Sequence, residues 1–199
     1  MKTRVAVWWL NPPNEVTSAQ RTLVDVLTAA QRAGTLGDRP IADVIEHALA
    51  FVSALPSDTR SILDIGTGAG VPGLVIADKL LHAQLVLVDR RATRMDALRR
   101  GVASLGWQDR VTVLTVDVAD LARDPGYTQH FDAVVSRGFG PPAYTARLAR
   151  PFLSPGGLLV VSEPPSSEND RWPQRLLDEC GFESVERLSG VVRLRATAL

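Results

Sequence analysis

The stretch Leu63-Asp64-Ile65-Gly66-Thr67-Gly68-Ala69-Gly70-Val71-Pro72-Gly73 carries the strongest chemical signal in the sequence. Glycines at alternating positions permit a tight turn and let a ligand come close to the backbone. Pro72 suits a first helical position. About twenty residues after the glycines, Asp89 closes the apolar run Leu85-Val86-Leu87-Val88. A carboxylate there can accept both ribose hydroxyls of a nucleoside cofactor; its alternative use is to cap a helix starting near Ala92. No Gly-Lys-Ser/Thr follows the loop, so a Walker A site is excluded. Arg137 ends a further apolar run, Ala133-Val134-Val135, at the strand edge where open α/β sheets bind ligands. Its guanidinium can hold a phosphate or stack on a base; the alternative is a structural salt bridge.

These residues need a scaffold, and the rhythm of the chain supplies one. From Ser61 short apolar runs alternate with helical stretches: Ile62–Ile65, Leu85–Val88, Val111–Leu114, Ala133–Val135 and Leu158–Val161. Runs of this kind are parallel strands covered on both faces. Strand–helix alternation predicts right-handed crossovers and a doubly wound sheet. Phe182–Leu188 and Val191–Arg195, joined by Ser189-Gly190, read as a terminal antiparallel hairpin. The expectation is an α/β fold with a seven-stranded, mostly parallel, Rossmann-like sheet. Residues 15–56 are helical in pattern instead: Val16, Ala19, Leu23, Val26, Leu27 and Ala30 recur at helical spacing up to Gly34. A second helix, Ile41 to Leu55, sets Val44, Ala48 and Val52 on one face. The organisation read here is a mainly helical extension, 1–56, and a ligand-binding domain, 57–199.

The loop is D-x-G-x-G-x-G, and in this form it resembles the first motif of class I S-adenosylmethionine-dependent methyltransferases. More narrowly, Asp64-Ile-Gly-Thr-Gly-Ala-Gly-Val-Pro-Gly73 resembles the signature of the bacterial small-subunit ribosomal RNA guanine-N7 methyltransferases, the glucose-inhibited-division B family. His47-Ala-Leu-Ala-Phe-Val resembles the family's H-[IL]-L-D-S-L, Ser136-Arg137 its S-R-A, and Pro151-Phe-Leu-Ser-Pro-Gly-Gly157 its P-L-L-x-P-G-G. The resemblance covers roughly residues 35–165 and implies S-adenosylmethionine as cofactor, S-adenosylhomocysteine as product and ribosomal RNA as partner. It carries the cofactor contacts onto Asp64, Gly66, Thr67, Gly68, Gly70, Asp89, Arg90, Asp117, Val118 and Arg137, with Asp117 near the adenine amine. Guanine N7 has a free lone pair, so no catalytic base is nominated, and Arg137 is the substrate-positioning candidate.

The sequence departs from the family pattern at several positions. Asp117-Val118-Ala119 replaces Arg-Ala-Glu, Gly138 follows Ser136-Arg137, Val71 replaces a phenylalanine, and Ser162-Glu163-Pro164-Pro165 stands where a lysine is expected. These changes remove positive charge where RNA would enter. Two other readings therefore stay open. One is a small-molecule methyltransferase, with the helical extension and the 138–144 loop closing a pocket. The other is a catalytically silent protein that binds the cofactor.

Composition bounds the rest. The 199 residues carry 22 Lys+Arg and 22 Asp+Glu, a net charge of zero, which disfavours a generally basic nucleic-acid coat. The single Cys180 excludes an internal disulfide framework and a Cys-based zinc site, and reads as an inert thiol at a helix end. His47, His82 and His130 lack metal-ligand spacing, so no metal is expected. The apolar run Val5–Leu10 is shorter than a signal-peptide core of about 7–15 residues, and Asn11-Pro12-Pro13-Asn14 is no cleavage site. No run approaches the roughly 18 residues that span a bilayer, and a cytoplasmic protein is expected. Trp8 and Trp9 suggest a strand, a lid or an oligomer contact; the oligomeric state is open. Arg90, Arg91, Arg94, Arg99 and Arg100 crowd one predicted helix and read as a solvated face, with phosphate contact as the alternative. Phe139 and Tyr144 are candidates to stack on a planar substrate; the alternative is core or lid packing. Gly138-Phe139-Gly140-Pro141-Pro142-Ala143-Tyr144 lacks the acid or amide of the amino-methyltransferase [DN]-P-P-[YF] motif.

Overall fold

The computed structural model describes residues 21–164 and 171–198. Expectations for Val16, Ala19, Trp8, Trp9 and the 11–14 stretch lie outside the described residues.

Seven strands, β1 (Ser61–Ile65), β2 (Gln84–Asp89), β3 (Val111–Thr115), β4 (Phe131–Ser136), β5 (Leu153–Ser162), β6 (Phe182–Leu188) and β7 (Val191–Ala196), form one sheet of order β3-β2-β1-β4-β5-β7-β6. The first five are parallel; β7 runs antiparallel between β5 and β6. This is the doubly wound sheet with a terminal hairpin that the apolar runs predict. The central strands are buried almost end to end, while the edge strand β6 is mostly exposed, with Phe182 as its one fully buried residue. The strand order reverses between β1 and β4. The crevice at that switch point, beyond the carboxyl ends of the strands, is where such sheets bind ligands.

One strand is longer than its apolar run. β5 starts at Leu153, ahead of the predicted Leu158, because Phe131 pairs with Leu153 and the register then jumps so that Ala133 pairs with Leu158. Ser154-Pro155-Gly156-Gly157 takes up the slack, with Gly156 at φ +73°. A bulge of this kind has no apolar periodicity to announce it.

The helices are α1 (Leu23–Arg32), α2 (Ile41–Ala54), α3 (Gly73–Lys79), α4 (Ala92–Leu105), α5 (Val118–Leu121), α6 (Pro142–Ala149) and α7 (Gln174–Cys180). Thr22 and Asp25 form a capping box at the start of α1: the Asp25 amide donates to Thr22 Oγ1, and the Thr22 amide to Asp25 Oδ2, which satisfies amide donors that the helix leaves unpaired. On α2 the fully buried stripe is Val44, Ala48, Phe51 and Ala54. Phe51 is therefore the central side chain of that face, and Val52 sits at its margin, because α2 packs against α3 and the β5–β7 side of the sheet. The helical segment shares one apolar core with the sheet, from Val26, Leu27, Val44 and Phe51 to Leu74, Leu85 and Val135. A second core on the opposite face joins Leu63, Phe131, Phe152, Trp172 and Phe182. Cys180 ends α7 as expected, buried before a left-handed Gly181, and burial pushes its thiol up.

Candidate active site

Asp64 lies in the last turn-ward half of β1 and is wholly buried. Its Oδ2 accepts hydrogen bonds from Thr67 Oγ1 at 2.7 Å and from the Gly73 amide at 2.9 Å. One carboxylate thus ties the start of the turn to the start of α3 and curls the loop between them. Its Oδ1 is shut off from solvent without a hydrogen-bond partner among the described residues. Burial pushes the Asp64 carboxyl up to about 7, against the opposing pull of Thr67, Gly73 and the Arg137 charge.

Gly66 and Gly68 have φ of +68° and +57°, the left-handed region that L side chains disfavour. At Gly66 a Cβ would lie 2.4 Å from Cδ2 of Phe139, so the aromatic ring rests directly on the loop. At Gly68 the nearest atom, Arg94 Nη1, is 3.7 Å away. The first glycine therefore admits a ring and the second leaves the backbone open. Gly70 packs under the loop, where a Cβ would meet Leu98 and Leu74 at 2.7–2.8 Å.

Asp89 joins the glycine loop to the start of α4, as its expected capping use requires. Its Oδ2 accepts from the Gly68 amide at 3.2 Å, and its Oδ1 from the amide of Arg91, the N-cap residue of α4, at 3.0 Å. Each carboxylate oxygen retains a second lone pair. Asp117 caps α5 through the Ala119 amide at 2.9 Å, and its other oxygen lies 3.9 Å from Arg90 Nη1.

Gly66, Thr67, Gly68, Asp89, Arg90, Asp117, Val118 and Arg137 line a single cleft of about 350 Å³. Asp64 and Gly70 lie beneath the cleft and hold its loop. Three further wall residues were not legible as such: Thr35, Leu36 and Gly37, from the α1–α2 connection. Gln31 Nε2 donates to the Gly37 and Arg39 carbonyls at 2.8 and 2.7 Å and pins that connection over the cleft. The signal available in the sequence was the pair Gly34 and Gly37 bracketing a buried Leu36. The arginine-rich helix divides. Arg90, Arg91 and Arg94 line the cleft, whereas Arg99 ties α4 to β3 through Val113 O and Thr115 Oγ1. Arg90, Arg91, Arg99 and Arg100 are exposed, as the solvated-face reading expects, and Arg94 is half-buried.

Arg137 directly follows β4, half-buried, with no hydrogen bond or ion pair to any described residue, so the salt-bridge alternative has no partner among them. Burial lowers its affinity for a proton, and the nearby Asp64 charge opposes that. A second cleft of about 760 Å³ opens beside the first, and the two share Gly138 and Phe139 in their walls. Arg39, His47, Pro142, Glu163, Trp172 and Gly190 are among its other residues. Burial, Arg137 and Arg39 all lower the His47 pKa. Phe139 stacks on the half-exposed Tyr144, with ring centroids 5.6 Å apart at 24°. Among the described residues no helix is long and apolar enough to cross a membrane.

The geometry can be set beside known proteins. Solved structures with this fold include a putative O-methyltransferase from Klebsiella pneumoniae, with TM-score 0.64, 19% identity and coverage of 92% of this chain and 93% of that one. A SAM-dependent methyltransferase from Aquifex aeolicus aligns with TM-score 0.61 at 15% identity, covering 85% of this chain and 98% of that one. Curated relatives are named ribosomal RNA small subunit methyltransferase G. That of Deinococcus deserti is 36% identical over 128 residues, 64% of this chain and 52% of that protein. That of Moorella thermoacetica is 29% identical over 127 residues, 64% of this chain and 52% of that protein. The chain thus spans about half the length of these two relatives. For that of Rubrobacter xylanophilus the match is 26% identical and covers 97% of this chain and 74% of that protein. The family model described as GidB, rRNA small subunit methyltransferase G, matches residues 20–186. By that match, which spans most of its length, the chain belongs to the rRNA small subunit methyltransferase G family.

Proposed function

We propose that this chain transfers a methyl group from S-adenosylmethionine to N7 of a guanine in small-subunit ribosomal RNA, leaving S-adenosylhomocysteine. One observation carries the reading: a cradle suited to a nucleoside opens, at Gly138 and Phe139, into a second cleft with room for a base. The family description and the relatives' names support an RNA acceptor.

The cradle fits the cofactor chemically. A ribose diol needs two acceptors, and Asp89 keeps a lone pair on each oxygen after binding the Gly68 and Arg91 amides. An adenine needs an apolar wall with a polar end, which Val118 beside Asp117 and Arg90 provides. The methionine end bears both charges. Asp64, whose Oδ1 lacks a partner, lies below the loop, and the free guanidinium of Arg137 lies at its side. Gly66, Thr67, Gly68 and Gly70 keep the loop backbone within ligand reach. When bound, S-adenosylmethionine supplies an electrophilic methyl on a sulfonium.

The chain's own work is positioning. N7 attacks with its lone pair, so no residue has to remove a proton first. Arg137 orients the acceptor and faces the cofactor's charged end, while Phe139 offers a ring to the entering base. Thr35, Leu36 and Gly37 cover the cofactor from the extension that ends at residue 56, and the domain 57–199 supplies the rest. Orientation of this kind is worth up to roughly 7–11 kcal/mol of the barrier. The reaction is placed in the cytoplasm, where the ribosomal substrate is made.

The test is methyl transfer from tritiated cofactor into small-subunit RNA prepared from a deletion strain, followed by identification of 7-methylguanosine. Label in RNA at that base is the expected outcome. Label confined to a small-molecule extract would replace the reading with a small-molecule methyltransferase. Cofactor binding with no label in either pool would replace it with a silent binding protein.

A further inference from the structure

The second cleft contains a carboxylate that the family pattern does not predict. Glu163 follows β5, in the segment where the resemblance calls for a lysine. Its side chain is only 13% exposed. Oε1 is held from two sides, accepting from Trp172 Nε1 at 2.9 Å and from Arg171 Nη1 at 3.0 Å. Trp172 itself is buried in the second core, with 1% exposure. The Glu163 rotamer is thereby fixed by groups that belong to the fold. Oε2 accepts no hydrogen bond from any described residue, and the residue lines the cleft.

A carboxylate only accepts hydrogen bonds. Held in one orientation, it selects a ligand edge with adjacent donors. Among the four RNA bases only guanine offers two neighbouring donors on its pairing edge, N1–H and the N2 amino group. Adenine, cytosine and uracil each place an acceptor beside the donor, and that acceptor would face the carboxylate. Recognition of unstacked RNA bases commonly combines such edge contacts with stacking on an aromatic ring. Phe139 supplies the ring, at the junction of the two clefts.

Resting on the methyl-transfer reading above, the geometry points to Glu163 as the residue that selects guanine, by accepting hydrogen bonds from N1–H and the N2 amino group at Oε2, since Trp172 and Arg171 already occupy Oε1. Purine geometry makes the assignment more specific. The N1/N2 edge and N7 lie at opposite ends of the base. A guanine gripped at one end by Glu163 directs N7 away from that carboxylate, toward the Gly138–Phe139 opening and the cofactor cleft. A lysine at this place would repel the same donors, so this chain reads its acceptor by a different contact from the one the family pattern implies.

The experiment uses the full chain and small-subunit RNA whose methylated position has first been mapped with wild-type protein. That position is then made guanosine or inosine, which lacks only the N2 amino group, by ligation. For wild type, kcat/KM on inosine should fall by about 10–100-fold, mostly through KM, as expected when a buried polar group loses its partner. For Glu163→Gln, kcat/KM on guanosine should fall by a similar factor, and the guanosine-to-inosine ratio should collapse to within about threefold. Cofactor Kd by calorimetry should stay within about twofold. If wild type makes 7-methylguanosine yet treats guanosine and inosine alike, the assignment is overturned while the methyl-transfer reading stands. An unchanged ratio in Glu163→Gln has the same meaning. Were that variant to lose its fold, the wild-type inosine arm still decides. Absence of methylation on any RNA would remove the underlying reading, and the assignment with it.

Discussion

The two clefts are built in different ways. The cofactor-type cleft is made mostly of backbone and of carboxylates that bind backbone: Asp64 takes the Gly73 amide, Asp89 the Gly68 and Arg91 amides, and Asp117 the Ala119 amide. Each acid sits at or just after the carboxyl end of a strand and shapes the turn that follows it. The second cleft is made of side chains from separate segments. His47 comes from α2, Phe139 from the loop after β4, Glu163 from the end of β5, Trp172 from before α7 and Gly190 from the hairpin turn. The first kind of site is rigid because its polar groups are the same ones that hold the turns. The second is only as fixed as the packing of several elements, and it can change its chemistry one residue at a time without disturbing the sheet. The departures from the family pattern touch both: Val71, Asp117 and Val118 line the first cleft, Glu163 the second, and Gly138 the wall between them.

The largest effect expected from this difference is at Asp64. Its carboxyl titrates near 3.8 when unfolded and is pushed up to about 7 in the fold by burial. The folded state therefore keeps a proton that the unfolded state releases. Stability falls as pH rises from about 4 to about 7 and levels off above that, by on the order of 4 kcal/mol from this group. Asp64→Asn keeps the shape and an acceptor for Thr67 and Gly73 but cannot ionise. The difference in unfolding free energy between wild type and Asp64→Asn, measured in urea at pH 4.5, 6 and 7.5, should grow with pH in favour of the variant. A difference that is flat across that range would mean the carboxyl is not kept neutral by its burial. Binding of the cationic cofactor above it should also expel the proton below pH 7, visible as calorimetric heats that change with the buffer.

Gly66 is where the two clefts are joined mechanically. An alanine there would have to hold φ near +68° and push Phe139 aside from 2.4 Å. The left-handed backbone costs roughly 1–2 kcal/mol, and the ring displacement adds to it, for a total of about 2–3 kcal/mol by thermal or urea unfolding. In a Phe139→Ala background the same substitution should cost about 1 kcal/mol less, since only the backbone part remains. Equal costs in the two backgrounds would show that the ring does not rest on the loop and that the clefts are independent.

The same contrast explains what could be read from the chain. Asp64, Gly66, Gly68 and Asp89 were legible because their roles are local: strand, turn and helix follow one another, so spacing in sequence equals placement in space. The strands of the sheet were legible for a similar reason, through unbroken apolar runs. Thr35, Leu36 and Gly37 were not legible as cleft residues, because only the docking of α1 and α2 onto the sheet brings them over the loop. Trp172 reads as nothing in particular until α7 packs and turns its Nε1 to Glu163. The early start of β5 was missed because Pro155 and two glycines mask a strand that continues through a bulge. Arg99 looked like its neighbours on α4, and only the register of β3 distinguishes it.

Asp89 gives the next effect in size. In the proposed cofactor site, removing its carboxylate would withdraw two charge-assisted acceptors from the ribose, and such bonds are worth about 1.5–3 kcal/mol where they are fully formed. Asp89→Ala should therefore weaken S-adenosylmethionine binding by about 10–100-fold in calorimetry. The Gly68 and Arg91 amides lose their acceptor as well, so the unliganded protein should lose about 1 kcal/mol of stability. Affinity within twofold of wild type would remove this residue from the cofactor site and leave it as a cap of α4 alone.

Arg90 should give the smallest effect, and it tests the limit of the comparison. It lines the cofactor-type cleft, but by a side chain: that side chain is 73% exposed and its only ion pair among the described residues is the 3.9 Å contact with Asp117. Exposed pairs of this kind contribute about 0–1 kcal/mol and are screened by salt. Arg90→Ala should change unfolding free energy by less than about 0.5 kcal/mol and cofactor affinity by less than about threefold, the latter shrinking further at high salt. Asp117 remains fixed without it, because the Ala119 amide holds the carboxylate from the other side. A tenfold or greater loss of affinity would show that a mobile side chain at the rim carries cofactor binding energy, and the division between a backbone-built cleft and a side-chain-built cleft would then fail at this position.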